Sequence, residues 1–162
     1  MAEHQPTVDY QALAAFRHQV RRFLRFSEEA ARAVGIEPQQ HQMLLAIKGL
    51  PEGAEASVGE IANRLQIQHH SAVELGDRLE QQGFVQRRRS TQDRRQVLLT
   101  LTARGERILR ELSRHHQREL QALGPELLAS LRKLLGANSR ADTERKKPMR
   151  PAANRGGEKR LR

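Results

Sequence analysis

Residues 57–102 read SVGEIANRLQIQHHSAVELGDRLEQQGFVQRRRSTQDRRQVLLTLT, and this stretch decides the fold. Ser57 and Glu60 have the spacing of a capping box, in which the hydroxyl accepts from an early helical N–H and the carboxylate reaches back to the cap. Apolar residues then recur at helical spacing, so a short helix is expected. After a tight turn, a second helix over 69–82 ends at Gly83, as helices often end at a glycine with positive φ.

The second helix of this pair has a polar face opposite its apolar residues. Hydroxyl, imidazole and carboxylate groups near a helix start can reach base edges in a DNA major groove, and a helix start also favours phosphate. Val73 would meet a thymine methyl, and Glu74 would either accept from cytosine or repel phosphate. Arg78 would either reach a phosphate or pair with Asp77 or Glu74. The candidate DNA contacts on this helix are His69, His70, Ser71, Val73, Glu74 and Arg78.

A two-stranded hairpin is expected after this helix. Residues 84–85 begin one strand, residues 97–101 form the other, and the tip between them, RRRSTQDRR at 87–95, holds five arginines and one aspartate. Such a tip is a cationic finger suited to a minor groove or a row of phosphates. The alternative is a solvated run of arginines. The candidate contacts from the tip are Arg88, Arg89, Asp93, Arg94 and Arg95.

Three motifs, LGDRLEQQGFV at 75–85, DRR at 93–95 and LTLTARG at 99–105, resemble the winged-helix signature of the MarR (multiple antibiotic resistance regulator) family. The family pattern runs D-R-L-E-x-x-G-L-V, then D-x-R, then L-T-x-x-G. This chain departs from it at Phe84, where leucine is usual, and at Gly76, where a larger apolar residue is common. The resemblance extends over roughly residues 9–135. It implies that Arg95 enters the minor groove and that Asp93 helps to hold the wing.

The fold class expected is mainly α with a small β-hairpin wing, a winged helix-turn-helix with six helices. The first, fifth and sixth helices carry more apolar surface than a small DNA-binding module needs, so a twofold dimer through the N- and C-terminal helices is expected, as the resemblance also implies. The alternative is that these helices cover the module within one chain. The expected divisions are a flexible lead-in at 1–8, a domain at 9–136 with dimerisation helices 9–34 and 103–136 around a DNA-binding core at 38–102, and a disordered basic tail at 137–162.

Composition supports a polyanionic partner. The 162 residues carry a net charge of +10 with a pI of about 11.2, and only 3% are aromatic, so the core is built of aliphatic residues. No apolar run reaches the roughly 20 residues of a membrane span, and the N-terminus lacks a secretory pattern, so the cytoplasm is expected. The tail either adds nonspecific DNA affinity or only keeps the chain soluble.

Metal, cofactor and enzyme functions find no support in the sequence. There are no cysteines, which excludes disulfides and thiol-based sensing. The adjacent pairs His69–His70 and His115–His116 diverge by about 100° on a helix and do not chelate one metal. His41, His115 or His116, and Glu119 could converge, but no H-x-x-x-H pair supports a site. No glycine-rich phosphate loop, nucleophile elbow or zinc-protease motif is present.

The resemblance also implies a small aromatic anion as effector, bound between the dimer helices and the winged module. The candidate ligand contacts are Arg17, His18, Arg21, Arg22 and His41, although arginines on an amphipathic helix are more often solvated or paired with carboxylates. The function expected is a dimeric, sequence-specific DNA-binding regulator, a repressor of a pseudo-palindromic operator. The alternative is a nonspecific architectural nucleic-acid binder that relies on the tail and overall charge. A third possibility is a winged helix that binds protein and no DNA.

Overall fold

The chain folds into five helices and one antiparallel hairpin in the computed structural model, which describes residues 8–91, 93 and 95–145, with side chains described as far as 136. This confirms a mainly α architecture with a β-hairpin wing. The lead-in expected at 1–8 lies outside the described residues except for Val8. In chain order the elements are α1 (Tyr10–Ala33), α2 (Pro38–Lys48), α3 (Val58–Leu65), α4 (His69–Gln81), β1 (Val85–Arg89), β2 (Val97–Leu101) and α5 (Ala103–Arg145).

The cap expected at Ser57 forms, but the reciprocal capping box lies at the start of a different helix. The Ser57 hydroxyl accepts from the Glu60 N–H at 3.2 Å, as expected, but the Glu60 carboxylate pairs with Arg64 at 2.7 Å and does not return to the cap. A reciprocal capping box lies instead at the start of α2, between Glu37 and Gln40. A partly exposed carboxylate thus takes the stronger charged partner one turn along its helix when one is available.

The core lies between α2, α3, α4, the hairpin and the first half of α5. Its largest fully buried side chains are aliphatic, with one methionine, and they come from every element except α1: Met43, Leu44, Ile61, Leu79, Val85, Leu98, Leu99 and Leu112. Helix α1 adds Ala31 to this cluster and otherwise packs along α5. The hairpin is therefore anchored by its inward-facing residues, while its tip projects from the core.

The expectation of six helices is wrong, because one helix, α5, spans the segment assigned to the fifth and sixth. Gly124 and Pro125 lie inside it. A proline removes one i→i−4 hydrogen bond, and its ring disfavours helical geometry in the preceding residue chiefly through that residue's Cβ, which glycine lacks. Leu123 and Ser130, on either side of the proline, are both buried, so packing holds the helix continuous.

Helix α5 also continues to Arg145, past residue 137, where the basic tail was placed. Alanine, arginine and glutamate are good helix formers, and they are frequent in 137–145. The remainder of the expected tail, 146–162, lies outside the described residues. Among the helices described, none is long and apolar enough to cross a membrane.

Candidate nucleic-acid interface

Helix α4 is fixed by its apolar face and presents its polar face outward. Ala72, Leu75 and Leu79 are buried against the core, as the helical spacing predicted. On the opposite side His69, His70, Glu74 and Arg78 are exposed, and Ser71 is half-buried. Val73 is also half-buried and packs against the edge of the core, which limits how far it can reach toward a thymine methyl.

The start of α4 is open to an anion. Gln66 adopts a left-handed conformation with φ of 53° and turns the chain sharply between α3 and α4. Gln68 then caps α4 without a side-chain hydrogen bond, so the first N–H groups of the helix are not occupied by their cap. Such free N–H groups, together with the helix dipole, favour phosphate.

The wing is a regular hairpin with a braced turn. Its strands pair from Val85 opposite Leu101 to Arg89 opposite Val97. Beyond them, Asp93 accepts from the backbone N–H of Arg95 at 3.0 Å, and the buried Ser90 donates to Glu55 at 2.9 Å. Arg88, Arg89 and Arg95 are all exposed, whereas Arg94 lies outside the described residues. The turn is thus held by polar contacts that leave its described arginines facing solvent.

Arg87 joins the wing to α4 and was not singled out by sequence reasoning. Its Nη2 lies 2.8 Å from the Asp77 carboxylate and donates to the Val73 carbonyl at 3.0 Å. Its Nε lies 3.6 Å from Glu80, and Glu80 also accepts from the Arg87 backbone N–H at 3.2 Å. A Cβ at Gly76 would lie 3.0 Å from Nη2. The glycine that departs from the family pattern therefore makes room for the guanidinium to lie across the helix.

These contacts affect the pairing expected for Arg78. Asp77 is engaged by Arg87, so Arg78 approaches Glu74 instead, at 3.9 Å, and both side chains are largely exposed. An exposed pair at this distance is worth little, so it restrains Arg78 weakly. Arg78 thus keeps its freedom to reach a phosphate. The signal that could have revealed Arg87 is the placement of Gly76, Asp77 and Glu80 along one side of α4.

The base of the wing is locked to the start of α5. The Thr102 hydroxyl donates to the Gly83 carbonyl at 2.7 Å and accepts from the Gly105 N–H at 3.1 Å. A Cβ at Gly105 would stand 2.1 Å from the Phe84 carbonyl oxygen. Arg104 lies over the Phe84 ring, 4.6 Å from its centroid. Helix α5 therefore begins in direct backbone contact with the end of the helix-turn-helix.

The residues considered for an effector do not share one surface. Arg17, His18 and Arg21 are exposed on α1, and Arg22, also exposed, lies 3.8 Å from Glu126 of α5. His41 is only 2% exposed, and its ring stacks on that of His116. Burial, together with the charge of His116, lowers the pKa of His41 to about 4. His41 therefore belongs to the interior and stays neutral at physiological pH.

No metal centre is formed by the part of the chain that the structure describes. Within that part, no three His, Asp or Glu side chains are placed to hold a metal ion. His41 and His116 do come together, as considered from the sequence, but no carboxylate joins them. Their imidazoles stack face to face, which is a packing arrangement and not the convergence of nitrogen lone pairs that a metal needs.

The sequence of this region is similar to those of known regulators. Residues 34–96, which include the helix-turn-helix and most of the wing, match the sequence model of the MarR family. The HTH-type transcriptional repressor MdtR of Bacillus subtilis is 32% identical over 78 residues, which cover 48% of this chain and 48% of MdtR. The chain thus matches about half the length of this curated relative.

The fold is similar to those of solved proteins over most of its length. FabT of Streptococcus pneumoniae, solved in complex with DNA, superposes with a TM-score of 0.64 at 23% identity, covering 85% of this chain and 100% of FabT. A mutant of MarR from E. coli, complexed with operator DNA, gives a TM-score of 0.56 at 23% identity, covering 81% of this chain and 90% of the mutant. These similarities establish the winged-helix architecture with its long flanking helices.

Proposed function

We propose that this chain is a transcription regulator of the MarR family and that it acts as a dimeric, sequence-specific DNA-binding repressor. Each α4 enters a major groove, and each wing enters the flanking minor groove of a pseudo-palindromic operator. The half-sites lie about one turn apart, roughly 34 Å. Because an operator is part of the chromosome, we propose that the protein acts in the cytoplasm.

The observation that carries this proposal is the bracing of two polar surfaces into one unit. Arg87 ties the first wing strand to α4 at Val73, Asp77 and Glu80. The described side chains left free by this bracing are the ones suited to DNA, namely His69, His70, Ser71, Arg88, Arg89 and Arg95. A sequence-specific DNA-binding protein needs a fixed distance between the elements that enter the grooves, because a displacement of about 1 Å breaks bidentate contacts to bases.

Dimerisation is proposed through α1 and the second half of α5. Tyr10 is 75% exposed, and Leu128 and Leu135 are 51% and 63% exposed. Leu128 and Leu135 are separated by two helical turns and so lie on one side of α5. Apolar side chains repeated along one side of a helix are typical of a surface that another helix covers. A second copy of the chain, related by a twofold axis, would cover both helices at once.

Repression follows from position. A dimer bound over a promoter excludes the transcription machinery, and MdtR, which is similar over half its length, is itself named a repressor. For the tail beyond Arg145 we propose a supporting role: it adds sequence-independent affinity by neutralising phosphates. The core reads the sequence and the tail only lengthens the time spent on DNA.

The test is a binding-site selection with purified protein, followed by footprinting. We expect a bounded, symmetric footprint. Arg95→Ala and Ser71→Ala should each lose roughly 1–3 kcal/mol of affinity for the selected site. Arg25→Ala is the matched control, because Arg25 is exposed on α1 and paired only with Glu29, and its removal changes the net charge equally. A nonspecific architectural binder would instead protect DNA without bounds; the two arginine variants would then weaken binding equally, and Ser71→Ala would leave it unchanged.

A small aromatic anion is the effector class we propose for release from DNA. Arg17, His18 and Arg21 are exposed on α1, the helix that packs along α5, and the two guanidinium groups offer charge to a carboxylate. The probe is salicylate, titrated into the complex of protein and selected fragment. We expect release in the wild type and weaker release in Arg17→Gln/Arg21→Gln. Equal release in both proteins would remove these residues from the effector site.

A further inference from the structure

Three helices meet at a pair of stacked histidine rings. His41 of α2 and His116 of α5 lie face to face, with ring centroids 4.8 Å apart and an interplanar angle of 18°. Phe23 and Phe26 of α1 approach the His116 ring edge-on at 5.8 and 5.7 Å. Ser27 of α1 lies 2.8 Å from His116 Nε2. This stack joins α2, part of the helix-turn-helix core, to the two helices assigned to the dimer.

The stack has few polar partners. His116 Nδ1 faces the Leu112 carbonyl, which can only accept, and Nε2 lies within hydrogen-bond distance of the Ser27 hydroxyl. His41 Nδ1 is buried and has no hydrogen-bond partner among the described residues. The closed arrangement therefore favours a neutral His41, since a charge on that ring would lie in a site with little solvation.

Among the residues that the structure describes, no carboxylate contributes to the pKa of His41, so none compensates such a charge. The contacts from α1 are Ser27 and two phenylalanines, and those from α5 are His116 itself and a backbone carbonyl. The charged side chain that α2 extends toward α5, Lys48, is engaged elsewhere, with Glu106 at 2.6 Å. Among the described groups, His116 acts electrostatically on His41 and opposes a positive charge there.

We propose that the His41–His116 stack is a proton-operated latch between the helix-turn-helix core and the dimer helices. Uptake of a proton by His41 separates α2 from α1 and α5. That movement changes the position of α4 and the wing in one subunit relative to α4 and the wing in the other. Operator binding is thereby weakened. The coupling to DNA rests on the function proposed above, whereas the opening of the latch is a property of the folded chain.

The size of the effect follows from linkage. His41 has a pKa of about 4 in the closed stack, against 6.5 when it is solvated. Above pH 6.5 both states hold a neutral ring and acid plays no part. Below it the open state binds the proton and the closed state does not. Between pH 8 and pH 5 the opening equilibrium therefore shifts by roughly 30-fold toward the open state.

The direct test is hydrogen exchange of the full chain at pH 8 and pH 5, corrected for the intrinsic effect of pH on amide exchange. We expect protection along α2 to fall by roughly 30-fold at pH 5 in the wild type. His41→Phe keeps an aromatic ring in the stack without a titrating group, and its protection should be nearly independent of pH. His115→Gln is the control, since His115 is the neighbouring histidine of α5 and takes no part in the stack. Should His41→Phe not fold, His41→Gln replaces it.

The DNA arm uses the fragment selected with wild-type protein at pH 8. Its affinity should fall at pH 5 more for the wild type and His115→Gln than for His41→Phe. The comparison is made between variants at each pH, because all three proteins carry the same residues on α4 and the wing. Equal loss of protection in His41→Phe and the wild type would overturn the latch. If no fragment can be selected, the proposed function fails, and exchange alone decides the latch.

Discussion

Gly105→Ala is the substitution that this fold should tolerate least for its size. The new Cβ would stand 2.1 Å from the Phe84 carbonyl oxygen and 3.1 Å from its carbon, whereas real Cβ atoms keep about 3.0 Å or more from other atoms. The position of the Cβ is fixed by the backbone of residue 105, and the atoms it meets belong to the backbone of Phe84. No side-chain rotation can therefore relieve the clash. The start of α5 must move by roughly 1 Å from the end of the helix-turn-helix to remove the clash, an overpacking that costs typically 1–3 kcal/mol.

Other contacts break with that movement. Phe84 O accepts from the Thr102 N–H at 3.0 Å, and the Thr102 hydroxyl bonds both Gly83 and Gly105. Each lost bond costs about 1 kcal/mol, while alanine in a helix gains about 1 kcal/mol over glycine. We expect a net destabilisation of about 3–5 kcal/mol. Urea unfolding followed by circular dichroism, at one fixed protein concentration, measures it.

Gly59→Ala supplies the matched control. Gly59 is also helical, in the first turn of α3, and a Cβ there meets nothing within 4 Å. The same exchange should leave stability unchanged or raise it by up to about 1 kcal/mol. If the free energy of unfolding of Gly105→Ala lies within about 0.5 kcal/mol of the wild-type value, the contact between α5 and Phe84 does not constrain the fold as proposed.

Two further predictions concern the brace and the latch. Arg87→Met should lower the free energy of unfolding by about 1–3 kcal/mol, because the Val73 carbonyl and two carboxylates lose their partner. It should also weaken binding to the selected fragment. Full affinity in a destabilised variant would show that DNA binding does not need the contact between the wing and α4. The free energy of unfolding of the wild type should be greatest above pH 6.5 and fall as pH drops toward 4, by up to about 3 kcal/mol from His41, since the unfolded chain takes up a proton that the folded site excludes. His41→Phe should flatten that part of the curve, and an unchanged pH profile in this variant would refute the assignment.

Local patterns predicted the elements well because their causes are local. Three features depend only on neighbouring residues. They are the apolar spacing of Ala72, Leu75 and Leu79, the cap at Ser57, and the positive φ of Gly83. The wing was equally visible as a change of period around a cationic tip. These signals depend on the chain folding on itself over short distances, so they were readable without the rest of the molecule.

Features that depend on distant partners were not readable in the same way. Two helices were expected where α5 is a single helix, because the packing of α1 along α5 leaves no trace in the local sequence. Arg87 looked like one arginine among five, since one of its acceptors is a backbone carbonyl of Val73, which side-chain patterns do not reveal. The pairing of His41 with His116 joins residues on separate helices, and only the folded core brings them together.

The unbroken length of α5 has a mechanical consequence. A helix of 43 residues is about 65 Å long at 1.5 Å per residue, so it works as a strut from the foot of the wing to the far edge of the molecule. A tilt of only one degree at one end displaces the other by roughly 1 Å, which is enough to spoil the fit of an arginine to a base. Pro125 lacks a backbone N–H, so one hydrogen bond is missing near the middle of α5. We expect the helix to bend most easily at that point.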